Sequence, residues 1–98
     1  MKGSVVMEKI IYLDNAATTK VRQEVVDAML PYFTEQYGNP SSVYKFAGES
    51  KKAVDNARDI IAKSLNTNSQ DIYFTAGGSE SDNWALKATA EAYRSKGK

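Results

Sequence analysis

Apolar residues recur along the chain in two rhythms, and each rhythm predicts an element. Ile10, Ile11, Tyr12 and Leu13 form a β-prone run that stops at Asp14-Asn15, residues that favour turns by bonding their own backbone. A short strand or extended arm is predicted there. Val21, Val25, Ala28, Met29 and Tyr32 repeat at helical spacing, which predicts a first helix from Val21 to Phe33 with Thr18 or Thr19 as its N-cap. Pro31 is expected to kink that helix or to end its regular part, because its ring removes a donor and crowds the preceding turn. Gly38-Asn39-Pro40-Ser41-Ser42 reads as a loop, with Pro40 biasing Asn39 away from helical angles and Ser42 available to cap the next helix. That second helix carries Phe46, Ala53, Val54, Ala57, Ile60, Ile61 and Leu65 as one apolar stripe. Lys51, Lys52, Asp55, Arg58 and Asp59 mostly occupy its remaining surface, the pattern of a surface helix packed on a core.

Asn66 to Gln70 is a polar connector, after which the rhythm changes. Asp71-Ile72-Tyr73-Phe74-Thr75 is a compact β-prone run closed by Gly77-Gly78, which predicts one buried strand. Beyond the glycines a third helix is expected from Ser79 to about Ser95, with Trp84, Ala85, Ala88 and Ala92 near one side and Gly97 as its stop. Helix, strand, glycine turn and helix in that order begin an α/β layer architecture. A parallel strand needs neighbours for its backbone groups, yet after Gly97 the chain stops where the next strand of a βαβ unit would be expected. The sheet is therefore expected to be incomplete in this chain.

Composition narrows the function classes. With 98 residues, 42% hydrophobic and 26% charged, the chain has the make-up of one ordinary globular domain rather than a disordered or fibrous segment. A formal net charge of +1 suggests neither nucleic-acid binding nor an acidic tail. Cysteine and histidine are both absent, so the chain has no disulfide framework, no thiolate nucleophile and no imidazole base or metal ligand. Lys2, Glu8 and Lys9 interrupt the apolar residues near the start, which fits neither a signal peptide nor a membrane span, and a cytoplasmic location is the expectation. Met7 offers a second possible start, so residues 1–8 are read as a leader or extension.

Candidate chemistry concentrates at Thr75-Ala76-Gly77-Gly78-Ser79-Glu80-Ser81-Asp82-Asn83, where a predicted strand passes into a helix. Free N–H groups at a helix start, with a macrodipole of about half a positive charge, attract anions, and glycines let the backbone approach a phosphate closely. Gly77, Gly78 and the Ser79 hydroxyl are the candidate phosphate ligands. A tight turn with a Ser79 to Asp82 capping box, [S/T]-x-x-[D/E], explains the same residues without any ligand. The two readings are compatible, since a capping hydroxyl can still donate its proton to a phosphate oxygen. Asp14-Asn15-Ala16-Ala17-Thr18-Thr19 and Gly38 to Ser42 are each explained locally as a turn or loop with a cap, and gain functional weight only by occurring together.

Taken in order, Tyr12 to Thr19, Gly38 to Ser42 and Phe74 to Asn83 resemble the opening of class V aminotransferases, and most closely that of NifS/IscS-like cysteine desulfurases. The resemblance covers about residues 9 to 98. It implies the N-terminal portion of a pyridoxal-phosphate-dependent transferase of fold type I: short arm, helix, long helix, strand, glycine turn and helix. Residues 9–42 would then belong to the small-domain part, with Asn15 to Thr19 near the active-site mouth, and residues 43–98 would begin the large, cofactor-binding domain. The segment corresponding to Gly78-Ser79 binds the cofactor phosphate in that family.

The family reaction is removal of sulfur from L-cysteine to give L-alanine and an enzyme persulfide, which feeds iron-sulfur assembly or thiolation. The resemblance accordingly implies pyridoxal 5'-phosphate as cofactor, L-cysteine as substrate, sulfur-acceptor or scaffold proteins as partners, and a homodimer at full length. A related class V enzyme acting on selenocysteine or transferring an amino group shares the same opening motifs. Tyr44 stands where family members often carry histidine, Ala76 and Gly78 replace the more usual serine and alanine, and Ser79 replaces threonine while keeping the hydroxyl. The family's cofactor-bound lysine and ring-stacking histidine belong to segments beyond the equivalent of Lys98. Lys87, Lys96 and Lys98 match no such motif and read as solvated helix-end charges. The chain alone is expected to be catalytically inactive and to bind the cofactor weakly or not at all. A non-catalytic piece that pairs with itself or with a full-length homologue is the alternative.

Overall fold

The computed structural model describes residues 9–97; the expected leader and Lys98 lie outside them. Two compact units divide the chain, Met1–Tyr37 and Gly38–Lys98.

In the first unit, Ile10 to Leu13 are exposed and belong to no strand among the described residues. The next turn is closed by the Asp14 carbonyl, which accepts from the N–H groups of Ala17 at 3.1 Å and Thr18 at 3.4 Å. Helix α1 spans Gln23–Met29 and α2 spans Pro31–Thr34. Neither Thr18 nor Thr19 caps α1: its N-cap is Arg22, in an extended conformation and without a side-chain cap. Pro31 ends the regular part as expected. The last bond of α1 runs from the Leu30 N–H to the Val26 carbonyl at 3.0 Å, and Pro31, lacking a donor, becomes the first residue of α2.

The second unit is organised on α3, Lys45–Ser64. Its cap is Tyr44 rather than Ser42. Ser42 is engaged one turn earlier, where Asn39 folds the loop over itself by accepting the Ser41 N–H on its side-chain oxygen at 2.9 Å and the Ser42 N–H on its carbonyl at 3.0 Å. Helix α3 stops at a left-handed residue, Asn66 with φ 54°. Thr67 N–H bonds the Ala62 carbonyl at 2.9 Å and Asn66 N–H bonds the Lys63 carbonyl at 3.1 Å, the two closures of a Schellman end with asparagine in the glycine position.

The covered face of α3 differs from the expected stripe. Ala47 is 0% exposed, Ala62 2% and Ser50 6%, whereas Phe46, Ile60, Ile61 and Leu65 are exposed. Residues 47, 50, 54, 58 and 62 succeed one another at three- and four-residue steps, and all are buried or half-buried. Arg58 therefore sits within the covered face instead of on the polar one. Small side chains let the neighbouring backbone approach there, while the large apolar residues one position away stay open.

A 3₁₀ turn, Ser69–Asp71, leads into residues 72–75, and α4 begins beyond them at Gly78–Ala92. The buried strand expected at Asp71 to Thr75 is not formed. Ile72 has extended angles, φ −103° and ψ 124°, but no partner strand lies among the described residues, and Tyr73 and Phe74 are exposed. A strand is defined by its ladder, so β-prone side chains produce only an extended segment where the ladder is missing. Helix α4 ends three residues short of Ser95, and Lys96, in the turn beyond, lays its ammonium 5.4 Å from the Tyr93 ring centroid. Among the described residues no helix is long and apolar enough to cross a membrane.

Candidate functional site

The glycine turn and the first turn of α4 are held by hydrogen bonds that residue spacing does not place. Gly77 is the N-cap, with extended angles, and Gly78 and Ser79 are the first two helical residues. The first intrahelical bond runs from the Ser81 N–H to the Gly77 carbonyl at 3.2 Å. The N–H groups of Gly78, Ser79 and Glu80 consequently have no acceptor within the helix. Nothing lies within 4 Å of where a Cβ would stand on Gly77 or Gly78, so both glycines have open space on their side-chain side.

The expected capping box from Ser79 to Asp82 is absent, because the helix begins two residues earlier than that register requires. Its actual third residue is Glu80, whose carboxylate reaches back to accept the Ala76 N–H at 2.8 Å. This is the reach of a capping-box acid, one residue further out, and it places a negative charge at the positive end of the helix. Thr75 completes the fastening. Its hydroxyl donates to the Gly77 carbonyl at 3.1 Å and lies 2.6 Å from the Ser81 hydroxyl; with its single proton committed, Thr75 accepts from Ser81. Asn83 donates its side-chain N–H to the Ser79 carbonyl at 2.8 Å.

Ser79 is exposed, and its hydroxyl serves no cap and makes no hydrogen bond among the described residues. Gly77, Gly78 and Ser79 are thus brought together at one helix start. Chemically this arrangement offers backbone donors, one hydroxyl donor and the helix dipole to an anion, with Glu80 already occupying the Ala76 amide. No group of acidic residues able to hold a metal ion occurs among the described residues.

Thr75 and Ser81 also line a shallow crevice of about 490 Å3 with Tyr73, Trp84, Ala85 and Ala88, in which the Tyr73 and Trp84 rings meet edge to face at 5.1 Å. Gly77, Gly78 and Ser79 are not among its lining residues, so the crevice and the glycine turn are separate features. The roles of Thr75, Glu80 and Ser81 are not legible from composition. A sequence signal exists only for Glu80, an acid three residues after a glycine that can cap.

The other two sequence clusters keep a local role. Asn15 donates its side-chain N–H to the Tyr12 carbonyl at 3.5 Å within the first unit, and Asn39 shapes the loop before α3. Lys87 is exposed on α4.

Comparison with known proteins brings these features under one heading. The family model for Aminotransferase class-V matches residues 11–98. Among curated relatives, the chain is 57% identical over 90 residues to a cysteine desulfurase IscS from Methanosarcina thermophila, covering 92% of this chain and 22% of that protein. It is 53% identical over 91 residues to a cysteine desulfurase IscS from Clostridium botulinum (strain Kyoto / Type A2), covering 93% of this chain and 23% of the relative. A solved structure described as a NIFS-LIKE PROTEIN superposes with a TM-score of 0.78 and 36% identity, covering 84% of this chain and 22% of that one. The chain spans about a fifth of the length of the proteins it matches.

Proposed function

The chain belongs to the class-V aminotransferase family, within which it is similar to IscS and NifS cysteine desulfurases, and from that premise we propose that it supplies part of the phosphate grip of a pyridoxal-phosphate-dependent cysteine desulfurase. The observation that carries this reading is the start of α4. Two glycines with open space around them and a free serine hydroxyl sit where three first-turn amides lack helical acceptors. A phosphate dianion suits such a donor set, and Gly77, Gly78 and Ser79 are the residues that would hold it. When bound, pyridoxal phosphate supplies an electron sink for bond cleavage next to the substrate amino group. The residues of this chain bind and orient; with no cysteine and no histidine it offers neither a sulfur-accepting thiolate nor an imidazole for proton transfer.

Within the same reading, residues 9–42 form the small-domain part of a fold type I enzyme and residues 43–98 begin its large domain. The whole protein's substrate is L-cysteine, its product L-alanine, and its sulfur goes to acceptor or scaffold proteins. It works as a homodimer in the cytoplasm. The chain by itself binds phosphate weakly, with a dissociation constant on the order of millimolar, because a few donors barely offset the cost of association.

A titration of the 15N-labelled chain with inorganic phosphate, monitored by amide shifts, tests the grip. Saturable shifts centred on Gly78, Ser79 and Glu80, weakened in Ser79→Ala, are expected. Shifts scattered over lysine-rich surfaces, or none at tens of millimolar, would overturn it. Incubation of the chain with pyridoxal phosphate and L-cysteine should yield no alanine.

A second reading is favoured by one observation, the exposure of Ile60, Leu65, Tyr73 and Phe74 in the second unit. Exposed apolar side chains of this size suit self-association or docking on a longer homologue. Light scattering over a concentration series separates the two, since a purely monomeric chain rules out self-pairing.

A further inference from the structure

We infer that Arg58 is a positioning residue for the glycine turn, clamping residues 72–74 to α3 and so setting where Gly77 and Gly78 present their amides. Arg58 is a cation on the covered face of α3, in line with Ala47, Ser50, Val54 and Ala62, a position that an unpartnered charge would not occupy. Its guanidinium is used on two edges and one face. Nε donates to the Ile72 carbonyl at 3.1 Å, Nη1 donates to Asp55 Oδ1 at 3.2 Å, and the charge lies 5.2 Å from the centroid of the Phe74 ring. Asp55, itself paired with Lys51 Nζ at 3.0 Å, orients the guanidinium on its own helix.

The extended segment reads alternately to the two helices. Ile72 and Phe74 meet Arg58 on α3, while Tyr73 packs on Trp84 and Thr75 meets Ser81, both on α4. The Phe74 side chain meets α3 and the flanking Tyr73 and Thr75 side chains meet α4, the two-residue period of an extended chain, while Ile72 reaches Arg58 through its backbone carbonyl. The Ser69–Asp71 turn packs on α3, and because no partner strand holds the segment beyond it among the described residues, the Arg58 bond across 14 positions carries that hold on to Ile72 and through it towards the start of α4. Lysine substitutes only in part: a single ammonium keeps the charge but lacks the planar fork that serves a carbonyl, a carboxylate and a ring together. Functional meaning for the clamp rests on the phosphate-grip reading above; the clamp itself does not.

Residual dipolar couplings on the labelled chain decide it. In the unsubstituted chain, amides of α3 and α4 should fit one alignment. In Arg58→Ala the couplings of residues 72–78 and α4 should fall by about half or more while those of α3 persist, with Arg58→Lys intermediate. Lys52→Ala, which removes a solvent-facing pair with Glu49, should leave both helices aligned. If α3 loses helicity in Arg58→Ala, the lysine variant carries the test, because it keeps the stem and the charge. Helices that stay on one alignment in both variants overturn the proposal. In a phosphate titration, the response at Gly78 and Ser79 should weaken about tenfold in Arg58→Ala. An unsubstituted chain silent to phosphate would sink the phosphate grip, and the couplings would still judge the clamp.

Discussion

Placing the same methyl group on Gly38 and on Gly48 should move stability in opposite directions. At Gly38 an added Cβ would stand 2.8 Å from the Phe46 carbonyl oxygen, 3.0 Å from Phe46 Cδ1 and 3.1 Å from the Ala47 Cα, against 3.4–4 Å for ordinary contact. Two of these neighbours are backbone in the first turn of α3, so relief requires the loop to withdraw by roughly half an ångström. Overpacking of this kind costs about 1–3 kcal/mol. Alanine also restricts the unfolded chain, which returns about 0.4–1 kcal/mol because no described glycine has a positive φ, and the net loss is on the order of 1–2 kcal/mol. At Gly48, inside α3, nothing lies within 4 Å of the added Cβ, and helix propensity alone predicts a gain of about 1 kcal/mol. Urea titrations monitored by circular dichroism in the far ultraviolet, with amide exchange read for α3, measure both changes. A Gly38→Ala chain as stable as the parent would refute the packing of this loop on α3, and a destabilised Gly48→Ala chain would refute an open helix face.

Further expectations concern single contacts. Glu80→Ala removes the acceptor of the Ala76 N–H and should cost α4 about 0.5–1 kcal/mol, seen as faster exchange of the Ala76 amide; unchanged exchange would mean the carboxylate is not its partner. Tyr73→Leu should shift the emission of Trp84, the sole tryptophan, and cost about 0.5–1.5 kcal/mol through loss of the edge-to-face pair. A hydrogen bond from its own backbone N–H, then the Arg22 guanidinium at 3.2 Å, hold the Glu24 carboxyl below the ordinary value of 4.5. Its contribution to α1 is therefore complete above pH 4.5 and lost as pH falls through the lowered folded value. Carbon NMR of the Glu24 carboxyl should give a midpoint under 4.5, and a midpoint at or above it contradicts the contact.

Helices are legible in the sequence because their signals are local. The periodicity of Phe46 to Leu65 foretells α3, and Pro31 marks the break between α1 and α2 through its missing donor. The resemblance of three clusters to class V aminotransferases foretells the family that matches residues 11–98. Gly77, Gly78 and Ser79 are picked out by the same local logic, and they do meet at one helix start.

Contacts between elements are hidden from any reading of spacing. Which face of α3 is covered depends on what packs there, and the small residues Ala47, Ser50 and Ala62 admit backbone where Phe46 and Ile60 would not. The β-prone run Asp71 to Thr75 promises a strand, yet pairing is a property of two segments, and among the described residues the second is absent. By spacing, Arg58 is one more solvated charge; only the fold carries Ile72 and Phe74 to its guanidinium from 14 and 16 positions away. Periodicity along one chain records what each residue prefers, whereas burial, pairing and the partners of a charge are set by atoms distant in sequence.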